Sequence, residues 1–119
     1  MVLSYSTSPG YHMAVDETEQ YQAAAFDEGH YLQVEVAAVL ESSKNKELAR
    51  NFLSFMLAPE FQTALPLTNV MYPATDIGDE LPEAFSKLIT PARTLLIDTE
   101  TVRDKRKEWT NEWLEATTR

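Results

Sequence analysis

A chain of 119 residues is long enough for one domain, or for part of one, and too short for two. Apolar residues make up 44% and charged residues 24%, which is typical of a globular protein and excludes wholesale disorder. Nineteen acidic against ten basic side chains give a net charge of −9, which argues against nucleic-acid binding because that affinity comes mainly from neutralising phosphates.

The sequence contains no cysteine, which excludes disulfides, thiolate zinc sites and cysteine nucleophiles. No run approaches the roughly 18 apolar residues of a membrane span. The N-terminus shows no basic region and no cleavage site of a signal peptide. We therefore expect either a cytosolic protein or an internal or C-terminal piece of a longer one.

The first half of the chain predicts strands and short helices. Residues 1–5 are typical of a short buried strand, and Ser8 followed by Pro9 predicts a helical turn over residues 9–14, with Ser8 as its N-cap. Residues 29–36 alternate apolar and polar side chains and predict a strand that runs on to Leu40.

The second half of the chain is predominantly helical. Asn45 is the expected N-cap of a helix over residues 46–57, with an apolar stripe of Leu48, Phe52, Phe55 and Met56. Further helices are predicted over residues 59–65, ending at Pro66, over residues 81–89, and over residues 99–117 with Asp98 as the cap. The helices largely lack strands between them, which favours the tail end of an α/β protein over a self-contained α+β domain.

No strong catalytic motif is present. His12 and His30 are 18 residues apart, and Asp27 and Glu28 precede the second histidine, but a metal site needs three or four converging ligands. The three glycines are scattered, so no phosphate-binding glycine-rich loop exists. We expect no metal, no cofactor and no catalytic residue.

The run from Tyr5 to Tyr11 is the best candidate site. Ser6, Thr7 and Ser8 precede a helix start, where free N–H groups favour an anionic or oxygen-rich group. The two tyrosine rings can stack on a heterocycle or face a cation. The simpler alternative is that Ser8 only caps the helix and that both rings pack into the core.

The last helix carries Trp109 and Trp113 on one face. Such a pair can form an aromatic clamp, but it is more often a core stripe that anchors a terminal helix, and we favour the core. The basic residues between Arg103 and Lys107 are expected on a solvated face, with contact to a partner protein as the alternative.

Five motifs carry a resemblance to a known family. They are VLSYSTSPGYH at positions 2–12, GHYLQVEV at 29–36, ELARNFLSFM at 47–56, APEFQ at 58–62 and MYP at 71–73. Over nearly its whole length the chain resembles the C-terminal third of the thiamine-binding subunits of bacterial thiamine ABC transporters.

The resemblance implies an α/β chain that forms the C-terminal part of a two-lobed type II periplasmic binding protein fold, with an incomplete sheet. Residues 1–28 are then expected to end the second lobe and the hinge region. Residues 29–40 form a crossover strand, and residues 41–119 complete the first lobe with helices. This layout agrees with the excess of helices over strands.

The resemblance also implies a ligand site. Tyr5, Ser6, Thr7 and Ser8 correspond to a run that contacts thiamine in the family, and Tyr11 to an aromatic wall of the cleft. The family usually has Trp before Met-Tyr-Pro, whereas this chain has Val70 there. Because Val70 has no π face, a stacking or cation–π contact is lost, which leaves the affinity and the identity of the ligand open.

The implied function is solute binding, without catalysis, for an importer in the periplasm. The ligand would be thiamine, thiamine phosphate or a related cationic heterocycle, and two lobes would close on it before docking on the membrane permease. A chain with one incomplete lobe is expected to bind poorly alone. The alternatives are a stand-alone truncated relative that oligomerises through uncovered surfaces, and an enzyme that uses a histidine.

Overall fold

A computed structural model of the chain describes residues 2–118. Five α-helices, two short strands and one 3₁₀ turn follow one another in these residues. Their bounds are α1 Ser8–Val15, β1 His30–Tyr31, α2 Lys46–Met56, α3 Pro59–Thr68, the 3₁₀ turn Gly78–Glu80, α4 Glu83–Ser86, β2 Thr94–Leu95 and α5 Thr99–Thr117. The dominance of helix over sheet agrees with the sequence prediction.

A small apolar nucleus forms where α1 meets α4. Phe85 of α4 is only 2% exposed, and its ring meets the ring of Tyr72 edge-on at 5.8 Å. Gly10 of α1 allows the close approach, because a methyl group at this position would lie 3.1 Å from Leu88 and 3.2 Å from Phe85. Tyr72 itself is 48% exposed, and its partial burial raises the pKa of its hydroxyl, which donates a hydrogen bond to the Phe85 carbonyl.

Gln62 joins α3 to the segments around it. Its side chain is buried, its Nε2 donates to the Met56 carbonyl at 2.6 Å, and its Oε1 accepts from the Ala74 amide at 2.6 Å. A buried amide is stable only with such partners, since an unpaired polar group carries a desolvation penalty. These bonds hold Ala74 and the end of α2 against α3.

The two strands form a parallel pair, with His30 opposite Thr94 and Tyr31 opposite Leu95. Gly29 has a φ of 109°, and a methyl group there would lie 2.7 Å from the Arg93 carbonyl oxygen. Glycine is therefore required where the chain enters this pair.

The predicted strands are largely wrong. Residues 2–5 form no strand, with Val2 and Leu3 exposed, and Met1 lies outside the described residues. Of residues 29–40, two alone are in a strand. Alternation predicts which face of a strand is buried, but a strand also needs a hydrogen-bonding neighbour, and the described chain offers one at His30 and Tyr31 alone. β2 was not predicted, because two residues carry no periodic signal.

The helix predictions are better. α2 and α5 have the expected positions, and Asp98 caps α5 by accepting from the amides of Glu100 and Thr101. Asn45 precedes α2 as predicted, although its side chain makes no capping bond. α3 does not end at Pro66 but continues to Thr68, because the buried Pro66 ring packs in the interior and compensates for the missing N–H.

Two smaller predictions need correction. Thr7, not Ser8, occupies the N-cap of α1, and its side chain makes no capping hydrogen bond. The helix expected over residues 81–89 is confined to Glu83–Ser86, with the extended Pro82 as its N-cap and Lys87 as its C-cap.

Outside the nucleus, large apolar side chains lie in solvent. The predicted stripe of α2 is largely uncovered, with Phe52 56% exposed and Leu48 and Phe55 exposed as well. The core assignment of Trp109 and Trp113 is also wrong, since both are exposed on a helix without a buried residue. The described chain simply has no surface packed over these faces. None of the helices in residues 2–118 is both long and apolar enough to cross a membrane.

Candidate functional site

The loop that leads into α1 is a tight turn rich in hydroxyl groups. The Ser8 amide donates to the Tyr5 carbonyl at 3.1 Å, and the Gly10 amide donates to the Thr7 carbonyl at 3.0 Å. The hydroxyls of Ser4 and Ser8 share a hydrogen bond of 2.7 Å. These bonds fix the backbone of residues 5–8, which we call the hydroxyl loop, at the start of the helix.

The hydroxyl loop contacts a segment far away in the sequence. Thr7 is 5% exposed, and its Oγ1 donates to the carbonyl oxygen of Val70 at 2.5 Å, across 63 residues. The structure therefore brings Val70, the departure from the family motif, directly against the predicted ligand-contacting run. Two parts of the predicted site are thus neighbours in space.

Val70 has an unusual backbone conformation. Its φ is 56°, in the left-handed region that β-branched residues rarely adopt. Asn69, the preceding residue, ends α3 as its C-cap. The chain therefore reverses sharply at residues 69–70, which presents the side chain at position 70 on a fixed turn rather than on a helix.

The two tyrosines of the predicted site differ in exposure. Tyr5 is about half exposed, whereas Tyr11 in α1 is half-buried, and its ring meets that of His12 edge-on at 5.8 Å. Ser6 and Ser8 are half-buried. A ring and two hydroxyls near a helix start can bind a polar heterocycle by stacking and hydrogen bonding.

The histidines have other partners. His12 Nδ1 lies 2.6 Å from Asp16 Oδ2, one helical turn away, and its ring lies 4.6 Å from that of Tyr21. His30 lies beside Phe26, whose amide donates to Nε2 at 3.4 Å. Within residues 2–118, no three side chains of the metal-binding types cluster closely enough to hold an ion.

One contact near the site was not predicted. The Asn69 amide group donates to the Glu35 carboxylate at 3.0 Å, which ties residues 29–40 to the turn that carries Val70. Nothing in the sequence pairs these two positions, because they are 34 residues apart and both are exposed polar side chains. A separate cleft of about 360 Å³ is lined in part by Pro9, Met13 and Leu88, and not by the hydroxyl loop or Val70.

No protein-family model matches the sequence. Individual proteins do. The "Thiamine-binding periplasmic protein" of Brucella suis biovar 1 (strain 1330) is 50% identical over all 119 residues. The proteins of the same name from Escherichia coli (strain K12) and Haemophilus influenzae (strain Rd) are 49% and 34% identical. The chain spans 36% of the length of the Brucella and Escherichia relatives.

The three-dimensional structure agrees with the sequence matches. A solved structure described as "Periplasmic thiamin binding protein" superposes with a TM-score of 0.87 at 49% identity, and it covers 99% of this chain and 36% of that one. The chain therefore matches the C-terminal portion of thiamine-binding periplasmic proteins, and its mixed helical fold with a small sheet is part of a binding-protein fold. The fold class predicted from the sequence is confirmed.

Proposed function

We propose that this chain is part of the solute-binding component of a bacterial ABC importer, that it acts in the periplasm, and that the solute is thiamine or thiamine phosphate. The observation that carries the proposal is the match to thiamine-binding proteins, at 49–50% identity over the full 119 residues with the same fold. The net charge of −9 suits a cationic ring. All the named relatives are binding proteins, and we propose no catalysis.

The hydroxyl loop and Val70 form one wall of the proposed site. Tyr5, Ser6, Thr7, Ser8 and Tyr11 are the residues that the resemblance selects, and the bond between Thr7 and Val70 is the geometric support for treating them as one site. In this proposal Tyr11 stacks against the heterocycle, the serines bond its polar atoms, and Val70 closes the wall without a π contact.

The layout of the chain follows from the same proposal. Residues 1–28 would end the second lobe and the hinge, residues 29–40 would cross between lobes, and residues 41–119 would complete the first lobe. Closure of two lobes around the ligand would create the surface that docks on the permease. The bond between Asn69 and Glu35 supports a fixed relation between the crossing segment and the site.

The chain by itself exposes too much surface for a finished domain. Its accessible surface is 9888 Å², against about 6500 Å² for a folded monomer of this mass. Its radius of gyration is 17.7 Å, against about 13.5 Å for a compact chain of this length. We therefore propose that the chain alone binds thiamine weakly, since the wall opposite the hydroxyl loop must come from further polypeptide.

The alternative of a stand-alone oligomerising domain has one observation in its favour, the uncovered apolar faces of α2 and α5. The same faces are expected of a chain that matches 36% of a larger binding protein. None of the relatives is named for such a role, so we do not adopt this alternative.

The test is calorimetric titration of thiamine into two samples. One is this chain alone, and the other is the joined polypeptide, in which this chain replaces the 119 matching residues of the Escherichia coli relative. We expect no detectable heat from the chain alone and micromolar or tighter binding by the joined polypeptide. Tight binding by the chain alone would contradict the incompleteness, and no binding by the joined polypeptide would contradict the ligand.

A matched pair of tyrosines tests the site itself. In the joined polypeptide, Tyr11→Ala removes a proposed stacking surface and is expected to weaken thiamine binding by roughly tenfold. Tyr31→Ala removes the same side chain from β1, outside the proposed site, and is expected to change the affinity by less than about twofold. Equal losses from both substitutions would contradict this placement of the ligand.

A further inference from the structure

We propose that Thr7 is a positioning residue that sets the conformation of residue 70. The inference rests on the proposed function, because it assigns separate roles to two positions of the same site. In this account the Thr7 hydroxyl holds the neighbouring turn at residues 69–70 in place on the same wall of the site.

The burial of Thr7 is the first argument. At 5% exposure, this side chain is the most buried of the hydroxyl loop, whereas Tyr5 is exposed and Ser6 and Ser8 are half-buried. Its hydroxyl proton is already donated to the Val70 carbonyl oxygen at 2.5 Å. A threonine hydroxyl has one proton and two acceptor lone pairs, so while this bond is made the Thr7 hydroxyl can meet a ligand only as an acceptor.

The backbone of Val70 is the second argument. A valine at a φ of 56° is strained, and such conformations persist only where the surrounding structure holds them. The bonded oxygen belongs to Val70 itself, so the hydrogen bond restrains the ψ angle of the strained residue. The Thr7 hydroxyl is therefore placed to keep the turn at residues 69–70 in its observed form.

The direction of the side chain at position 70 follows from that backbone conformation. In the proposed function, residue 70 lies on the wall that faces the ligand. A ring at position 70 would meet the ligand only if the turn were held as observed. The contribution of residue 70 to binding is therefore expected to depend on the hydroxyl of residue 7.

The first experiment needs no ligand and uses the 119-residue chain. Nuclear magnetic resonance reports the φ of Val70 through its Cα and Cβ shifts and its amide coupling constant. Thr7→Val keeps the shape and removes the hydroxyl, and it is expected to move these signals towards negative φ. Thr7→Ser restores the hydroxyl and is expected to restore the signals. A Val70 that is unmoved by Thr7→Val would overturn the proposal.

A second test, in a chain with Val70→Gly, keeps the proposal testable if Thr7→Val prevents folding. Glycine adopts positive φ without strain, so a chain with Val70→Gly does not need the restraint. Thr7→Val is then expected to be tolerated in the Val70→Gly chain. Failure to fold in both backgrounds would show that Thr7 acts in some other way and would overturn the proposal.

The second experiment is a double-mutant cycle for thiamine binding in the joined polypeptide. Val70→Trp is expected to tighten binding by about 2–30-fold when Thr7 is present, the range of a single cation–π contact. With Thr7→Val the gain is expected to disappear, and with Thr7→Ser to return. Additive effects would indicate that Thr7 does not act through residue 70 and would overturn the proposal.

The two experiments separate the inference from the proposed function. If no variant of the joined polypeptide binds thiamine, the proposed function fails, and the resonance measurement still decides whether Thr7 positions residue 70. If thiamine binds but the substitutions are additive, the proposed function survives and the positioning role fails.

Discussion

The nucleus around Phe85 and the apolar face of α2 have similar side chains and opposite environments. Phe85 packs against Tyr72 and α1 and is 2% exposed, whereas Phe52 on α2 is 56% exposed. Both phenylalanines lie on helices of the same chain. The difference shows that burial depends on a second surface, which the described chain supplies to α4 and does not supply to α2.

The largest expected loss of unfolding free energy comes from truncating the buried phenylalanine of this pair. In the 119-residue chain, Phe85→Ala removes the centre of the nucleus and is expected to cost about 3–5 kcal/mol of unfolding free energy, enough to abolish cooperative unfolding. Phe52→Ala is the control on α2 and is expected to cost less than about 0.5 kcal/mol. Urea denaturation followed by circular dichroism measures both, and similar losses would contradict the contrast.

Measuring Phe52→Ala in the joined polypeptide tests the same contrast between buried and exposed phenylalanines. If further polypeptide covers the face of α2, Phe52→Ala becomes a core truncation there and is expected to cost about 3 kcal/mol or more. A Phe52→Ala variant that stays neutral in the joined polypeptide would indicate that α2 faces solvent in the complete protein as well.

The buried amide of Gln62 tests whether polar groups also hold the nucleus. Gln62→Leu keeps the volume but leaves the Met56 carbonyl and the Ala74 amide without their partner, at an expected cost of about 2–4 kcal/mol. Gln33→Leu is the exposed control and is expected to be nearly neutral. Thermal unfolding compares the two, and a neutral Gln62→Leu would contradict the role given to these bonds.

The strand pair offers a smaller effect with a matched control. Gly29 and Gly78 both have positive φ, but a methyl group at Gly29 would strike the Arg93 carbonyl, whereas Gly78 has open space. We expect Gly29→Ala to separate β1 from β2 and to expose the amides of His30 and Leu32 to exchange. Gly78→Ala is expected to lower the free energy of unfolding by about 1 kcal/mol, from backbone strain alone. Unchanged protection in Gly29→Ala would contradict the observed pairing.

The smallest expected effect is the pH dependence from Tyr72. Because burial raises the pKa of Tyr72 above its usual 10.0, the unfolded chain loses this proton first as the pH rises. The contribution of protonated Tyr72 to the free energy of unfolding is fully present below about pH 9. It is lost as the pH rises through the pKa of Tyr72 in the folded chain. Tyr72→Phe is expected to flatten this alkaline loss. Ultraviolet titration of the chain with and without Tyr72→Phe should show that the tyrosine lost in the variant has a pKa above its usual value.

Local signals in the sequence were sufficient to locate the helices but not to place all of their ends. Asp98 marks the start of α5 because a carboxylate cap acts within one helical turn, and Pro9 marks α1 for a similar local reason. The strands failed as predictions because pairing is non-local. Alternation over residues 29–36 was real, but the described chain provides a neighbour for His30 and Tyr31 alone.

The candidate site was predicted in part. Its residues were selected from the hydroxyl run and the family resemblance, both of which can be seen in the sequence without knowledge of the fold. The bond from Thr7 to Val70, the positive φ of Val70 and the contact between Asn69 and Glu35 were beyond prediction. The two contacts join segments that are 63 and 34 residues apart, for which a single sequence carries no signal. A positive φ is rare for a valine, so the residue type at position 70 predicts the opposite.

Amide hydrogen exchange of the 119-residue chain, measured residue by residue, tests the central claim most directly. The account predicts the strongest protection in α1, α3 and around Phe85, and weak protection along α2 and α5, where no covering surface stabilises the helices. The joined polypeptide should raise protection along α2. Equal protection of α2 and the nucleus in the chain alone would contradict the account, since it would mean that the chain is already complete without a covering surface.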